Sequence, residues 1–158
     1  MNINGLPLPR LLIELIASNR WKVPADANAQ RWQQFLNHWV GFDGPYPQVR
    51  FFQPTEMADK TAMLSQESYY VKLDPRVSGT VSRLRPEAIL AVDPVKSIVI
   101  ADLLFRPMQP EHLTTPVVLD YRQSCNDPCV IYFPDDPFES YWCEIAPNFN
   151  ALAQGLGI

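Results

Sequence analysis

Histidine and cysteine are scarce in this chain: His38 and His112 are the only imidazoles, and Cys125, Cys129 and Cys143 the only thiols. An odd, small number of cysteines excludes a disulfide framework. No window approaches the roughly 20 apolar residues that a membrane span requires. The apolar segment Leu11-Leu12-Ile13 is interrupted by Arg10 and Glu14 and is followed by no small-residue cleavage site. A signal peptide is therefore not expected, and the sequence predicts a soluble, reduced, cytoplasmic protein. There is no G-x-S-x-G, H-E-x-x-H or P-loop, which removes the common nucleophile, zincin and phosphate-cradle signatures. Internal repeats and linkers are also missing. Charged residues are somewhat sparse, but the apolar fraction is ordinary, so disorder is excluded.

Proline is what the chain has in abundance. Its sixteen prolines are about twice the usual ~5% share. Each fixes φ and removes a hydrogen-bond donor, so the chain is cut into short elements and ordered loops. That argues against long helices, heptads and a helical bundle. Charge is the second asymmetry. Residues 1–110 carry twelve Lys/Arg against ten Asp/Glu, a balance of +2. Residues 111–158 carry Arg122 alone against Glu111, Asp120, Asp127, Asp135, Asp136, Glu139 and Glu144, a balance of −6. Such a field disfavours nucleic acid and favours a basic partner; its bland alternative is a solvated rim that aids solubility.

The 158 residues form most simply one domain, 1–158. Residues 8–19 read as a helix with Leu11, Leu12, Leu15 and Ile16 on one stripe and Pro9 tolerated in its first turn. A second helix, capped by Asp26, carries Trp32, Phe35, Leu36 and Trp39 at helical spacing. Residues 49–52 suit a short strand, and Pro54-Thr55-Glu56 opens a third helix to about Gln66 that buries Met57, Thr61 and Leu64. Lys72, Arg76, Arg83 and Arg85 surround a Ser78-Gly79-Thr80 turn, a solvated loop by default or a phosphate site that lacks the glycine spacing.

Residues 97–103 form an apolar run suited to a central strand. Val117, Leu119 and Tyr121 alternate with Val118 and Asp120, as in a half-buried strand. Asn126-Asp127-Pro128 signals a turn before the partner strand 129–133. Tyr141, Cys143 and Ile145 are expected on one face of the next strand, with Trp142 and Glu144 on the other. Phe149, Leu152 and Leu156 line a closing helix with Gly157 just past its end. The fold class is α+β: N-terminal helices, a mainly antiparallel sheet built largely from the C-terminal half, and a C-terminal helix.

The candidates for chemistry are few. Cys125, Cys129, Cys143 and His112 supply four soft ligands for zinc, but not in paired CxxC spacing. The alternatives are a reversible Cys125–Cys129 bridge and packed or free thiols, the default. His38 lies in an aromatic helix and suits packing better than partnering a thiolate. Asp135-Asp136 with Glu139 offers a cation or acid–base set, weighed against simple solvation. Trp21, Trp32, Trp39 and Trp142 suit core packing better than ligand stacking. No cofactor is expected.

Several segments resemble the SUKH superfamily, which includes fungal cell-wall assembly regulators and many bacterial immunity proteins. The likeness runs through residues 97–102, Val118-Leu119-Asp120-Tyr121-Arg122, Asp127-Pro128-Cys129-Val130, and Trp142 followed by Ile145-Ala146-Pro147-Asn148-Phe149. Arg20-Trp21-Lys22-Val23-Pro24 and Thr55-Glu56-Met57 match the family's earlier portion. These residues look structural: Asp120-Tyr121 ends a strand, Trp142 packs across the sheet, Pro147 starts the last helix and Phe149 anchors it. One departure stands out. Where many relatives carry a polar, Gly-rich loop, this chain has Leu103-Leu104-Phe105-Arg106-Pro107-Met108-Gln109-Pro110, a hydrophobic edge suited to binding.

The resemblance implies a noncatalytic protein-binding module, most commonly one that occludes a cognate toxin, with a regulatory or scaffolding adaptor as the alternative and a small thiol- or metal-dependent enzyme as the third. The expected contact places Phe105, Met108, Phe138 and Tyr141 at its desolvated centre and Asp127, Asp135, Asp136 and Glu139 on its charged rim. A basic toxin domain is the expected partner, with neither nucleic acid nor membrane involved.

Overall fold

The structure is a computed structural model and describes residues 1–22, 48–64, 92–104, 114–133 and 142–158. Among these residues the architecture is α+β. A two-stranded hairpin comes first, with β1 (Asn2–Ile3) and β2 (Leu6–Pro7). Helix α1 (Arg10–Ala17) follows it. After β3 (Gln48–Phe51) come α2 (Pro54–Leu64), a 3-10 turn at Pro94–Lys96, β4 (Ser97–Leu104), β5 (Thr114–Asp120), β6 (Cys129–Tyr132), β7 (Cys143–Ala146) and α3 (Phe149–Leu156). The five longer strands pair in chain order, each antiparallel to the next.

Asn4-Gly5 makes the hairpin turn, with φ of 50° and 83°. Asn tolerates that left-handed region and Gly meets no steric cost there, which suits the tight right-twisted hairpin. Helix α1 then ends where the periodicity does. The Asn19 N–H donates to Ile16 O and the Arg20 N–H to Leu15 O, with Asn19 at φ 55°. Those two bonds satisfy the last free carbonyls in a Schellman arrangement. The same device closes α3, where Gly157 has φ 70° and the Gly157 and Ile158 N–H groups donate to Gln154 O and Ala153 O.

Helix α2 starts as its sequence dictates. Pro54 occupies the first helical position, where its missing N–H costs nothing. Glu56 reaches back so that its Oε2 accepts from the Gln53 N–H at 3.1 Å, half of a capping box. That backbone bond, ahead of the Arg50 guanidinium that also pairs with it, holds the Glu56 carboxyl below the usual range. Met57, Thr61 and Leu64 are the buried stripe, as expected.

Helix α2 packs on β4, and Thr61 is the reason the contact is specific. The register pairs of β3 with β4 end at Phe51↔Ala101, followed by one further bond from the Phe52 N–H to Ile100 O at 3.0 Å. Beyond it β4 carries a bulge between Val99 and Ala101 in its register with β5. The buried Val99 N–H donates to Thr61 Oγ1 at 3.0 Å, and that hydroxyl donates in turn to Met57 O at 2.6 Å. A helix side chain thus completes a strand's hydrogen bonding where the neighbouring strand stops.

Burial corrects one expectation. Strand β5, the middle of the five, is not half-buried: Thr115 to Tyr121 are buried without alternation, as when both faces of a sheet are covered. Pro116 is tolerated there because β6 begins its pairing with β5 only at Val117↔Tyr132. On β7, Cys143 and Ile145 are buried and Glu144 is exposed, and Trp142 is buried as expected of a core residue. A register shift separates the pairs Val130↔Ala146 and Ile131↔Glu144. Just ahead of the strand, Trp142 turns inward and meets Phe133 edge-on at 5.6 Å.

Trp21 joins the ends of the chain. It stacks on Phe51 at 3.9 Å, tilts against Phe149 at 5.5 Å and donates its indole N–H to Phe52 O at 3.0 Å. Helix α3 lays Phe149, Leu152 and Leu156 against β6 and β7, with Asn148 as its N-cap accepting from the Ala151 N–H at 2.8 Å. The cap is thus Asn148, with Pro147 one residue outside the helix. Burying three such side chains contributes about 1.5–3 kcal/mol each.

Candidate functional site

The turn between β5 and β6 is built by side chains on its own ends. Asp120 is buried, and its carboxylate is gripped by the Arg122 guanidinium through Nε at 2.9 and 3.0 Å and Nη2 at 2.7 Å. The Arg122 backbone N–H adds a bond to Oδ1 at 3.1 Å. These bonds to Asp120 come first among the causes that raise the Arg122 pKa. Further along, the Asp127 N–H donates to Ser124 Oγ at 3.0 Å, which tightens residues 124–127 into a side-chain-closed turn.

That turn meets the start of α3. Asn148 Nδ2 donates to Asp127 Oδ2 at 3.2 Å while Asn148 Oδ1 caps the helix. The exposed Asp127 carboxylate therefore lies beside a helix N-terminus, where the partial positive charge of free N–H groups favours an anion. Across from it runs α1. Between the two lies a cleft of about 460 Å³ lined by Pro9, Arg10, Leu11, Glu14, Asn126, Asp127, Phe149 and Asn150. Arg10 and Glu14 form an exposed pair one helical turn apart, Nε to Oε1 at 2.8 Å.

Of the eight predicted contact residues, Asp127 is placed at this cleft. Phe105, Met108, Asp135, Asp136, Phe138, Glu139 and Tyr141 lie outside the described residues. So do His38, His112, Trp32, Trp39 and the basic group Lys72, Arg76, Arg83 and Arg85. The structure does redistribute the acidic charge. Arg122 and the buried Asp120 cancel within one partly buried pair, so the excess of −6 over residues 111–158 rests on the other six carboxylates. Two of those six, Asp127 and Glu144, are described, and both are exposed.

The thiols divide sharply. Cys125 is exposed, whereas Cys129 and Cys143 are buried. Burial first, then the nearby Asp120 and Glu144 charges, pushes the Cys129 thiol up to about 11. It is held protonated at neutral pH, the opposite of what a nucleophile or thiolate ligand needs. Among the described residues no group of three or more His, Cys, Asp and Glu side chains gathers at metal-binding distance. Also among them, no helix is long and apolar enough to cross a membrane.

Two groupings escaped sequence reasoning. The cleft joins α1 to residues more than a hundred positions away, and no local pattern reports such a meeting. The other is a charged patch where β3, α2 and β4 converge: Lys60 Nζ lies 3.6 Å from the buried Asp102 Oδ2, and Arg50, opposite Asp102 in register, pairs with Glu56. Arg50 and Lys60 also stand over the Phe52 ring at 5.5 and 5.6 Å. Their side-chain stems cover apolar surface while their charges reach water, a packing role. Comparison with protein-family models, with curated proteins and with solved structures gives no match for this chain.

Proposed function

We propose that this chain is a noncatalytic, SUKH-like binding module that acts inside the cell as an immunity-type protein, occluding a basic toxin domain. One observation carries the reading. The C-terminal third holds an excess of −6, its one basic residue is engaged by the buried Asp120, and its two other described carboxylates, Asp127 and Glu144, are exposed with no ion pair among the described residues. A concentrated field of that sign speeds encounter with a positively charged surface, on the order of tenfold or more at low salt. The apolar residues of 105–110 and 138–141 would supply the desolvated centre that charge alone does not.

The test is a search of the neighbouring genes for a toxin domain, then co-expression with it scored by growth and association kinetics with the purified domain. The parent chain is expected to protect. A variant with Asp127→Asn, Asp135→Asn, Asp136→Asn and Glu139→Gln is expected to associate about tenfold more slowly at low salt, with a flattened salt dependence. Absence of protection and of binding would overturn the immunity reading in favour of an adaptor. Protection with unchanged kinetics would remove its electrostatic part.

A further inference from the structure

We infer that Asn4 is a self-modification site, converted with loss of ammonia to an isoaspartyl linkage, and that this conversion unfastens the N-terminal hairpin from the sheet. The chemistry is independent of the docking role proposed above. Asn4 is the one asparagine in the chain that precedes a glycine. With Gly5 it makes a two-residue loop beyond the register pair Ile3↔Leu6, and both loop residues are exposed. The reacting atoms are the Asn4 side-chain carbonyl carbon and the Gly5 backbone nitrogen, which the chain itself tethers side by side. Among the described residues no hydrogen bond engages the Asn4 side-chain amide or the Gly5 N–H. A Cβ placed on Gly5 would meet nothing within 4 Å, so the loop has open space in which to turn the nitrogen onto the carbonyl.

The Gly5 nitrogen gives up its proton and bonds to Asn4 Cγ, while the Cγ–Nδ2 bond breaks and Nδ2 leaves as ammonia. Water, the only co-reactant, then opens the cyclic imide. Cleavage between Cγ and the Gly5 nitrogen gives aspartate. Cleavage between the Asn4 main-chain carbonyl carbon and that nitrogen leaves the backbone running through Cγ and frees the main-chain carbonyl carbon as the new carboxylate. Nothing is oxidised or reduced. The second product adds a methylene group to the backbone of the turn. A loop with φ of 50° and 83° matches the twist of its hairpin only at its own length. The hairpin is held by few contacts: the Leu8 N–H donates to Met1 O at 3.1 Å, the Tyr121 hydroxyl donates to Pro7 O, and Ile3 and Leu8 are buried. Two strands have little stability of their own, so a lengthened turn is passed on to those contacts.

The full chain is held at physiological temperature at pH 6 and pH 8, native and in urea, and its peptides are then weighed. A native species about 1 Da heavier at Asn4 is expected. It should form faster at pH 8, because the attacking nitrogen must lose its proton, and the other described asparagines should stay unconverted. Electron-transfer fragmentation separates the isoaspartyl from the aspartyl form. Hydrogen exchange at the Leu8 amide is expected to be on the order of tenfold faster in the isoaspartyl form than in Asn4→Asp, which carries the same charge at the original turn length. Asn4→Gly accepts the same φ without an amide to lose, and is expected to stay unconverted and as protected as the fresh parent. Absence of conversion in the native chain, whatever happens in urea, would overturn the site. Equal Leu8 protection in the isoaspartyl form and Asn4→Asp would overturn the unfastening.

Discussion

Replacing Thr61 by Val tests whether one helix hydroxyl holds the bulged stretch of β4. The side chain keeps its shape and stays in the core, but the Val99 N–H loses its acceptor at 3.0 Å. Val99 is buried, so water cannot replace the lost bond. Leaving a buried donor unsatisfied costs about 1–3 kcal/mol. The extra methyl of Val offsets part of this, bounded by the ~0.8 kcal/mol of one buried CH₂ group. A net loss near 1–2 kcal/mol lowers the Tm by about 2–8 °C for a chain of this size. Stability alone does not isolate the cause, because any core change lowers it. Native-state hydrogen exchange does. In Thr61→Val the Val99 amide is expected to lose protection more than the neighbouring β4 amides. In Thr61→Ser, which retains the hydroxyl and loses only a methyl, it is expected to change no more than they do. Undiminished protection of Val99 in the valine variant would refute the reasoning.

The Arg122–Asp120 fork predicts that Arg122→Lys will be only a partial substitute, since an ammonium cannot reproduce two parallel donors. Arg122→Met leaves the buried Asp120 unpaired, and denaturant unfolding is expected to show a loss of about 2–4 kcal/mol, against about 1 kcal/mol for lysine; equal stability of all three proteins would contradict the fork's role. The thiols supply a pH prediction. Cys129 titrates at about 11 in the folded chain against 9.0 ordinarily, so the unfolded chain loses its thiol proton first. Its contribution to stability is fully present below pH 9 and is lost as pH rises towards 11. Cys129→Ala is expected to flatten that alkaline slope in urea titrations, and iodoacetamide at pH 8 to label Cys125 in the native chain but Cys129 only after unfolding.

Much of the scaffold was legible because its signals are local. Pro54 at a helix start, the Met57–Thr61–Leu64 stripe and the Phe149–Leu152–Leu156 stripe with Gly157 beyond it each depend on neighbours within a few turns. The strand pairing around Asn126-Asp127-Pro128 is of the same kind. What was missed depends on distant partners. The unbroken burial of β5 depends on what packs over both faces of the sheet, which the residues of one strand do not report. Thr61 was recognisable as a buried position but not as an acceptor, because the donor it serves lies thirty-eight residues away. The β1–β2 hairpin is different: Asn4-Gly5 is a strong turn dipeptide flanked by Ile3 and Leu6, and that signal was available.

The site follows the same division, and this bears on what the SUKH resemblance can mean. Most of the residues that carry it have structural work in the fold. The Tyr121 hydroxyl donates to Pro7 O and fastens the N-terminal hairpin to the end of β5; burial raises its pKa, so the donor proton is retained. Asp120 is locked by Arg122, Trp142 is core, and Asn148 caps α3. A pattern made of such residues recurs wherever the scaffold recurs, whatever the scaffold binds. Asp127 is the exception within that pattern, because it braces the start of α3 through Asn148 and yet keeps its carboxylate in solvent. Its neighbours in the cleft, Arg10, Glu14, Asn126 and Asn150, are polar, and their exchange leaves the buried core unchanged. Substitution at this rim therefore leaves the sheet and its closing helix intact, with Asp127 the point where surface and scaffold meet.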